Sequence, residues 1–241
     1  MTQTGMIKID GRTITFEQGD TIIDAALRAG EYIPHLCHNP EFHPHGSCRV
    51  CIVEVNGRQA SACTLQAADG MEVINKSESI MEERRNLLQM LFVEGNHICP
   101  GCEKSGACQL QAVAYFTNML SPHYTHFFPR RTLDASHPDT VIDFDRCILC
   151  ELCVRASHDV DHKNVFAISG RGINSHLVIN SPSGKLGDSD FAASDKAAHV
   201  CPVGAILPKH RGYDQPIGRR LYDKQPVSIV GDVAAHEQDE S

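Results

Sequence analysis

Twelve residues able to ligate metal fall into three groups of four along this chain of 241 residues. The groups are Cys37, Cys48, Cys51 and Cys63; His97, Cys99, Cys102 and Cys108; and Cys147, Cys150, Cys153 and Cys201. Together they take up all eleven cysteines. An iron–sulfur cluster normally takes four protein ligands, usually thiolates. The count therefore predicts three clusters with no thiol left over. A chain that commits its cysteine this way is built to move single electrons.

In the first group the gaps are ten, two and eleven residues. A Cys-x2-Cys pair places two thiolates on one small inorganic core, and the outer two close it from adjacent loops, so we expect [2Fe–2S]. Plant-type ferredoxins have a four-residue first gap, which makes this a variant spacing. Gly46 and Ser47 let backbone N–H groups approach the sulfides and favour the reduced state. A four-cysteine structural zinc site competes with this reading. Zinc knuckles usually pair two Cys-x2-Cys units, whereas Cys37 and Cys63 stand singly.

The second group, His97-x-Cys99-x2-Cys102-x5-Cys108, also suits a zinc ion held by three Cys and one His. A three-thiolate cluster with His97 outside it is the other alternative. Stoichiometry favours ligation by His97, because every other cysteine is taken. A neutral imidazole in place of thiolate removes a negative charge and raises the cluster potential. The third group is the most specific. Cys147-x2-Cys150-x2-Cys153 puts three thiolates on one tight loop, suited to three corners of a cubane. In two-cluster bacterial ferredoxins the Cys before Pro ligates the other cluster. Only one such run exists here, so Cys201, before Pro202, closes the same [4Fe–4S] cluster across 47 intervening residues.

Little else in the chain suggests chemistry. Gly170-Arg171-Gly172 lacks the third glycine and the following helix of a dinucleotide fingerprint, and no phosphate-binding loop is present. His158 does not complete a haem-attachment motif. His35, His38, His43 and His45 crowd the first ligand loop; a solvated loop is the expectation there and a second metal the alternative. We expect no substrate or nucleotide site. The charge of −8 disfavours nucleic acid. No secretory signal and no run of some 18–20 apolar residues is seen, so a cytoplasmic protein with reduced thiols is expected.

The elements that must position these ligands are legible in outline. Met6–Ile9 and Thr13–Phe16 read as strands joined by Asp10-Gly11, a type I′ hairpin signal. Asp20 or Thr21 caps a helix with Ile22, Ile23, Ala26 and Leu27 on one face, ended by Gly30. Ile52–Val55, Ala60–Thr64 and Met71–Ile74 are strand candidates, with Asn56-Gly57 a second hairpin signal. This order, with cysteines on one loop, is that of a β-grasp ferredoxin. Residues 78–95 form a helix with a stripe at Ile80, Arg84, Leu87, Leu88, Leu91 and Phe92, and Cys108–Leu120 another. A short strand before Cys147, a helix after Cys153, a Val165–Ser169/Leu177–Asn180 hairpin and a helix near Ser194–Val200 complete the pattern. The expected class is α+β. The divisions are a [2Fe–2S] ferredoxin-type β-grasp domain (1–78), a one-His/three-Cys domain (79–120), a linker (121–140), a bacterial-ferredoxin-like [4Fe–4S] domain (141–212) and a partner-docking tail (213–241).

The order of groups resembles the N-terminal region of the large iron–sulfur subunit of respiratory complex I, and at this length the small diaphorase subunits of NAD-reducing nickel–iron hydrogenases. The likeness runs over residues 6–222. It includes Tyr32-Ile33-Pro34, Gly46-Ser47-Cys48-Arg49, Glu94-Gly95-Asn96-His97, Cys108-Gln109-Leu110-Gln111, Pro202-Val203-Gly204 and Pro216-Ile217-Gly218-Arg219-Arg220. The single residue between His97 and Cys99 is the hydrogenase form. The resemblance implies one [2Fe–2S] and two [4Fe–4S] clusters, the second group holding one of the latter. It implies a non-catalytic electron-transfer subunit of a hydrogen:NAD+ oxidoreductase. A flavin/NAD(H)-binding diaphorase subunit would carry FMN and NAD(P), and a hydrogenase subunit the [NiFe] site. An NAD-dependent formate dehydrogenase or NADH:quinone oxidoreductase would use the same relay. Zinc-stabilised interaction proteins and redox-sensing regulators are the competing classes; the second lacks a DNA-binding module here.

Overall fold

A computed structural model describes residues 4–213 and 215–231. The chain opens with β1 (Thr4–Ile9) and β2 (Arg12–Glu17), an antiparallel hairpin pairing Ile9 with Arg12. Asp10 and Gly11 both take positive φ, 48° and 83°, as a type I′ turn requires. Alternate residues Ile7, Ile9, Ile14 and Phe16 turn to the core. α1 (Ile22–Arg28) follows, capped by Thr21, whose hydroxyl and Asp24 form a reciprocal capping box. Ile22, Ile23, Ala25 and Ala26 bury its inner face.

A long loop, residues 31–51, then leads to β3 (Ile52–Val55), β4 (Arg58–Ser61) and β5 (Glu72–Ile74). The five strands form one mixed sheet in the order β2-β1-β5-β3-β4, with β1 and β5 parallel. Asn56 and Gly57 make the second positive-φ turn. The strand expected over Ala60–Thr64 stops at Ser61. There the carbonyl of Ser61 accepts the N–H groups of Thr64 and Leu65, and the resulting turn presents Cys63.

α2 (Glu78–Glu94) starts on Ser77, which accepts the N–H of Ile80, and buries Ile80, Arg84 and Leu88 along one stripe. α3 (Gln109–Phe116) is shorter than the expected helix to Leu120. Thr117 turns its hydroxyl back onto the carbonyls of Val113 and Ala114, and Asn118 adopts φ 60°, which ends the helix. β6 (Leu133–Asp134), within the stretch expected as a linker, pairs with β7 (Thr140–Asp143).

α4 (Leu152–Arg155) begins before Cys153 and runs into a wider turn over Ala156–Val160. The expected hairpin is β8 (Phe166–Ser169) with β9 (His176–Ile179), and the last expected helix is α5 (Lys196–His199). β10 (Ile206–Pro208), unanticipated, pairs antiparallel with β7 and so brings Cys201 back beside the Cys147 loop. α6 (Val227–Val230) lies in the tail. The described part of that tail packs on its own chain: Tyr222 N–H donates to Gly106 O at 2.9 Å and Val227 is 1% exposed. The acidic end of the tail expected to dock a partner (Glu237, Asp239, Glu240) lies outside the described residues.

Two apolar cores result. One joins α1 to the first sheet and includes Cys51 and Cys63. The other runs from Tyr32, Leu36, Cys37 and Val50 through α3 to the third ligand group. The 31–51 loop is therefore the seam between them.

Candidate metal centres

The first group gathers at that seam. Cys37 and Cys48 sit on the loop, Cys51 at its end just before β3, and Cys63 on the turn after β4. Cys37, Cys51 and Cys63 are each 1% exposed. The sulfurs of Cys51 and Cys63 lie 3.3 Å apart, and the Cys48 N–H reaches the Cys37 sulfur at 3.5 Å. Hydrogen bonds from Cys48 and Cys63 push the Cys37 thiol down. Cys48 is pushed up by its bond to Cys37 and by burial. Cys51 is lowered to about 7 by a hydrogen bond from Cys63, and Cys63 is raised by its bonds to Cys37 and then Cys51. Four sulfurs thus compete for protons in one small space. Gly46 takes φ 75° with Thr64 Cγ2 only 2.9 Å from where a Cβ would stand, so glycine is needed for the loop to close on this turn.

The second group borders one cavity, to which His97, Cys99, Cys102 and Cys108 all contribute beside Phe92, Leu110 and Gly204. α2 ends at Gly95, and the next N–H, of Asn96, donates to Asp145 O at 2.7 Å. That bond fixes the approach of His97. Its Nε2 is buried without a hydrogen-bond partner, an arrangement that normally costs free energy. Burial, then the Arg146 guanidinium, lowers the His97 pKa to about 4, so the ring is neutral and competent to bind metal. Burial raises the thiols of Cys99 and, to about 12, Cys108. Arg146 Nη1 stands 3.6 Å from the Cys102 sulfur. A Cβ on Gly204 would lie 2.8 Å from the same sulfur, so a side chain there would displace it.

All four members of the third group line another cavity, walled besides by Glu151 and by apolar side chains such as Ile168, Leu177 and Val203. Leu149 and Glu151 take left-handed φ, 53° and 60°. This curls the loop so that the N–H groups of Leu149, Leu152 and Val154 face the sulfurs of Cys147, Cys150 and Cys153. A concavity of backbone N–H groups favours an anion. Burial pushes the Cys147 thiol up to about 11 and raises Cys150 and Cys153 well above their ordinary range. Thiolates there need a compensating cationic core.

The donor sets therefore fit iron–sulfur clusters: buried sulfurs around confined spaces, N–H groups aimed at them and an orphaned imidazole nitrogen. Among the described residues, no three His, Cys, Asp or Glu side chains gather as a site for one metal ion.

The histidine loop differs from expectation. His35 and His38 are 1% and 4% exposed, not solvated. His35 Nδ1 lies 2.8 Å from Ile33 O, and His38 Nε2 lies 3.3 Å from Asp24 Oδ1. His45 pairs with Glu151 at 3.0 Å. Residues with no ligand role of their own also join the groups. Arg155 bonds the carbonyls of both Cys37 and Cys150. Gln109, next to Cys108, donates its N–H to Pro202 O at 2.9 Å, next to Cys201, and its amide to His35 O at 3.0 Å. Arg84 had left a trace as a charge inside an apolar stripe, and Gln109 as part of the Cys108-Gln109-Leu110-Gln111 stretch.

Comparison with known proteins agrees with this layout. Residues 4–78 match a 2Fe-2S iron-sulfur cluster binding domain, residues 84–123 the NADH-ubiquinone oxidoreductase-G iron-sulfur binding region, and residues 140–207 a 4Fe-4S single cluster domain. The chain is 42% identical to the gamma subunit of the NAD-reducing hydrogenase HoxS of Cupriavidus necator, over 92% of this chain and 94% of that one. It is 32% identical to a subunit of the NADH-quinone oxidoreductase of Rhizobium meliloti over 83% of its length, but covers only 24% of that protein. A chain in the crystal structure of an NAD+-reducing [NiFe]-hydrogenase in the H2-reduced state superposes with TM-score 0.92 and 51% identity, covering 95% of this chain and 98% of that one.

Proposed function

This chain belongs to the family of gamma subunits of NAD-reducing hydrogenase, and we propose that it is the three-cluster electron relay of such an assembly. We assign Cys37, Cys48, Cys51 and Cys63 to a [2Fe–2S] cluster. His97, Cys99, Cys102 and Cys108 take one [4Fe–4S] cluster, and Cys147, Cys150, Cys153 and Cys201 another. The observation that carries the reading is the pair of separate cavities, each bordered by all four members of one group. The orphaned Nε2 of His97 supports the one-His/three-Cys site. The sheet order with α1 laid against it supports a β-grasp unit, and we divide the chain as 1–78, 79–120, 121–140, 141–212 and 213–241.

When bound, the clusters supply one-electron carriers between a flavin/NAD(H)-binding diaphorase subunit and the subunits bearing the [NiFe] site. The chain's own residues do the rest. They bury the thiolates, aim N–H groups at them, keep His97 neutral and tie the three ligand loops together. FMN and nicotinamide belong to the partner in this division of labour. Among the described residues no helix is long and apolar enough to cross a membrane, and we place the assembly in the cytoplasm. The likeness to the NADH-quinone oxidoreductase protein favours, as a second reading, the same relay in an NADH:quinone oxidoreductase. Hydrogen-dependent reduction of NAD or NADP by the purified native complex tests the first reading. Turnover is expected, and its absence with both nicotinamides would remove the hydrogenase assignment.

A further inference from the structure

Arg84 is the largest completely buried side chain among the described residues, at 0% exposure. It reaches from α2 into the seam beside β3. Its Nε donates to Val50 O at 3.2 Å and its Nη2 to Ile52 O at 2.6 Å, so it clasps the carbonyls on both sides of Cys51. Nη1 donates to Asn75 O at 2.8 Å and Nη2 to Asn75 Oδ1 at 2.7 Å. All of these acceptors are neutral. Among the described residues no carboxylate stands within ion-pair distance of the guanidinium. Asp10, the one carboxylate that acts on Arg84 among the described residues, turns its oxygens to the N–H groups of Asn75 and Lys76.

Burying a cation without a counter-charge is costly. Burial lowers the Arg84 pKa, but only to about 10, so the charge persists at neutral pH. The fold therefore keeps an unbalanced positive charge against the backbone of one ligand of the first group. A [2Fe–2S] core held by four thiolates is anionic and becomes more so on taking up an electron.

We infer that Arg84 is the buried counter-charge of the first cluster and holds its reduction potential above the value that the same four thiolates would give alone. The inference rests on the proposed [2Fe–2S] assignment. In the step concerned one electron enters the cluster and no bond is made or broken. A fixed cation in a low-dielectric site stabilises the reduced form more than the oxidised one. Backbone carbonyls, unlike a carboxylate, hold the guanidinium in place without cancelling its charge. Arg84 is thus a positioning and tuning residue.

The test is a redox titration of the assembled complex, followed by EPR, with the first-cluster signal read apart from the other two. In Arg84→Gln the midpoint of the first cluster should move to a more negative potential while the other midpoints stay. Arg84→Lys, which keeps the charge and loses the fork of hydrogen bonds, should retain most of the wild-type value. If Arg84→Gln does not assemble, Asn75→Asp decides, because it sets a carboxylate beside Nη2 and cancels the charge with the guanidinium still present. It too should shift the midpoint negative. An unmoved midpoint in either assembled variant would overturn the inference alone. Wild-type complex without a [2Fe–2S] signal would overturn the functional reading as well.

Discussion

Arg155 Nη2 donates to the carbonyl oxygen of Cys37 at 2.6 Å, across 118 residues of sequence, and the same nitrogen lies 3.3 Å from Cys150 O. One guanidinium therefore ties the loop of the first ligand group to that of the third. Its other terminal nitrogen bonds His43 O at 2.9 Å, and its head lies over the Phe42 ring. Charged hydrogen bonds of this kind are worth about 1.5–3 kcal/mol each when a partner is removed. Arg155→Ala should lower the thermal midpoint with iron content unchanged, and should weaken the magnetic coupling between the first and third clusters in pulsed EPR. Equal coupling in variant and wild type would show that the loops are held together by other contacts.

His97 offers the next test. His97→Ala should remove one [4Fe–4S] signal and leave the other two, because among the described residues His97 is the one imidazole that borders the second cavity, and its Nε2 is buried without a partner. His97→Cys should restore the cluster at a more negative potential, since a thiolate adds the charge that the imidazole lacks. Unchanged low-temperature EPR in His97→Ala would place the fourth donor elsewhere.

Cys201 reaches the Cys147 loop only because β10 pairs with β7. Cys201→Ser should damage the third cluster and interrupt electron flow to one partner while the first keeps its spectrum. Loss of the first-cluster signal alone in that variant would refute the grouping.

Acid should act at Asp24 as well as on the clusters. Burial alone would raise its pKa, but the His38 imidazole 3.3 Å away and the hydrogen bonds from Thr21 outweigh this and lower it from 3.8 to about 2. A carboxylate depressed in the fold stabilises it above the unfolded pKa, and the contribution fades as pH falls through 3.8 towards 2. Asp24→Asn should therefore be less stable than wild type at neutral pH, with the gap closing below about pH 4. Urea unfolding followed by circular dichroism reads this, and a gap independent of pH would assign the effect to the lost capping box instead.

Much of this was legible in the chain because short-range chemistry fixed it. Asp10-Gly11 and Asn56-Gly57 marked their hairpins, and Asp20-Thr21 marked the start of α1. What escaped depends on distant partners. Ser61 ends β4 through a turn that no local propensity demands. β10 exists only against β7. His35 and His38 are buried because α1 and the 31–51 loop pack around them, which a polar local sequence does not announce. The roles of Arg155 and Gln109 lie wholly in contacts with residues far away along the chain, so spacing could not reveal them.

The central claim is that the three groups hold one [2Fe–2S] and two [4Fe–4S] clusters. Iron, zinc and acid-labile sulfide counted on the native complex, purified without oxygen and normalised to this chain after allowing for the partner subunits, test it most directly. About ten iron and about ten sulfide per chain are expected. About three zinc with no sulfide would contradict the claim.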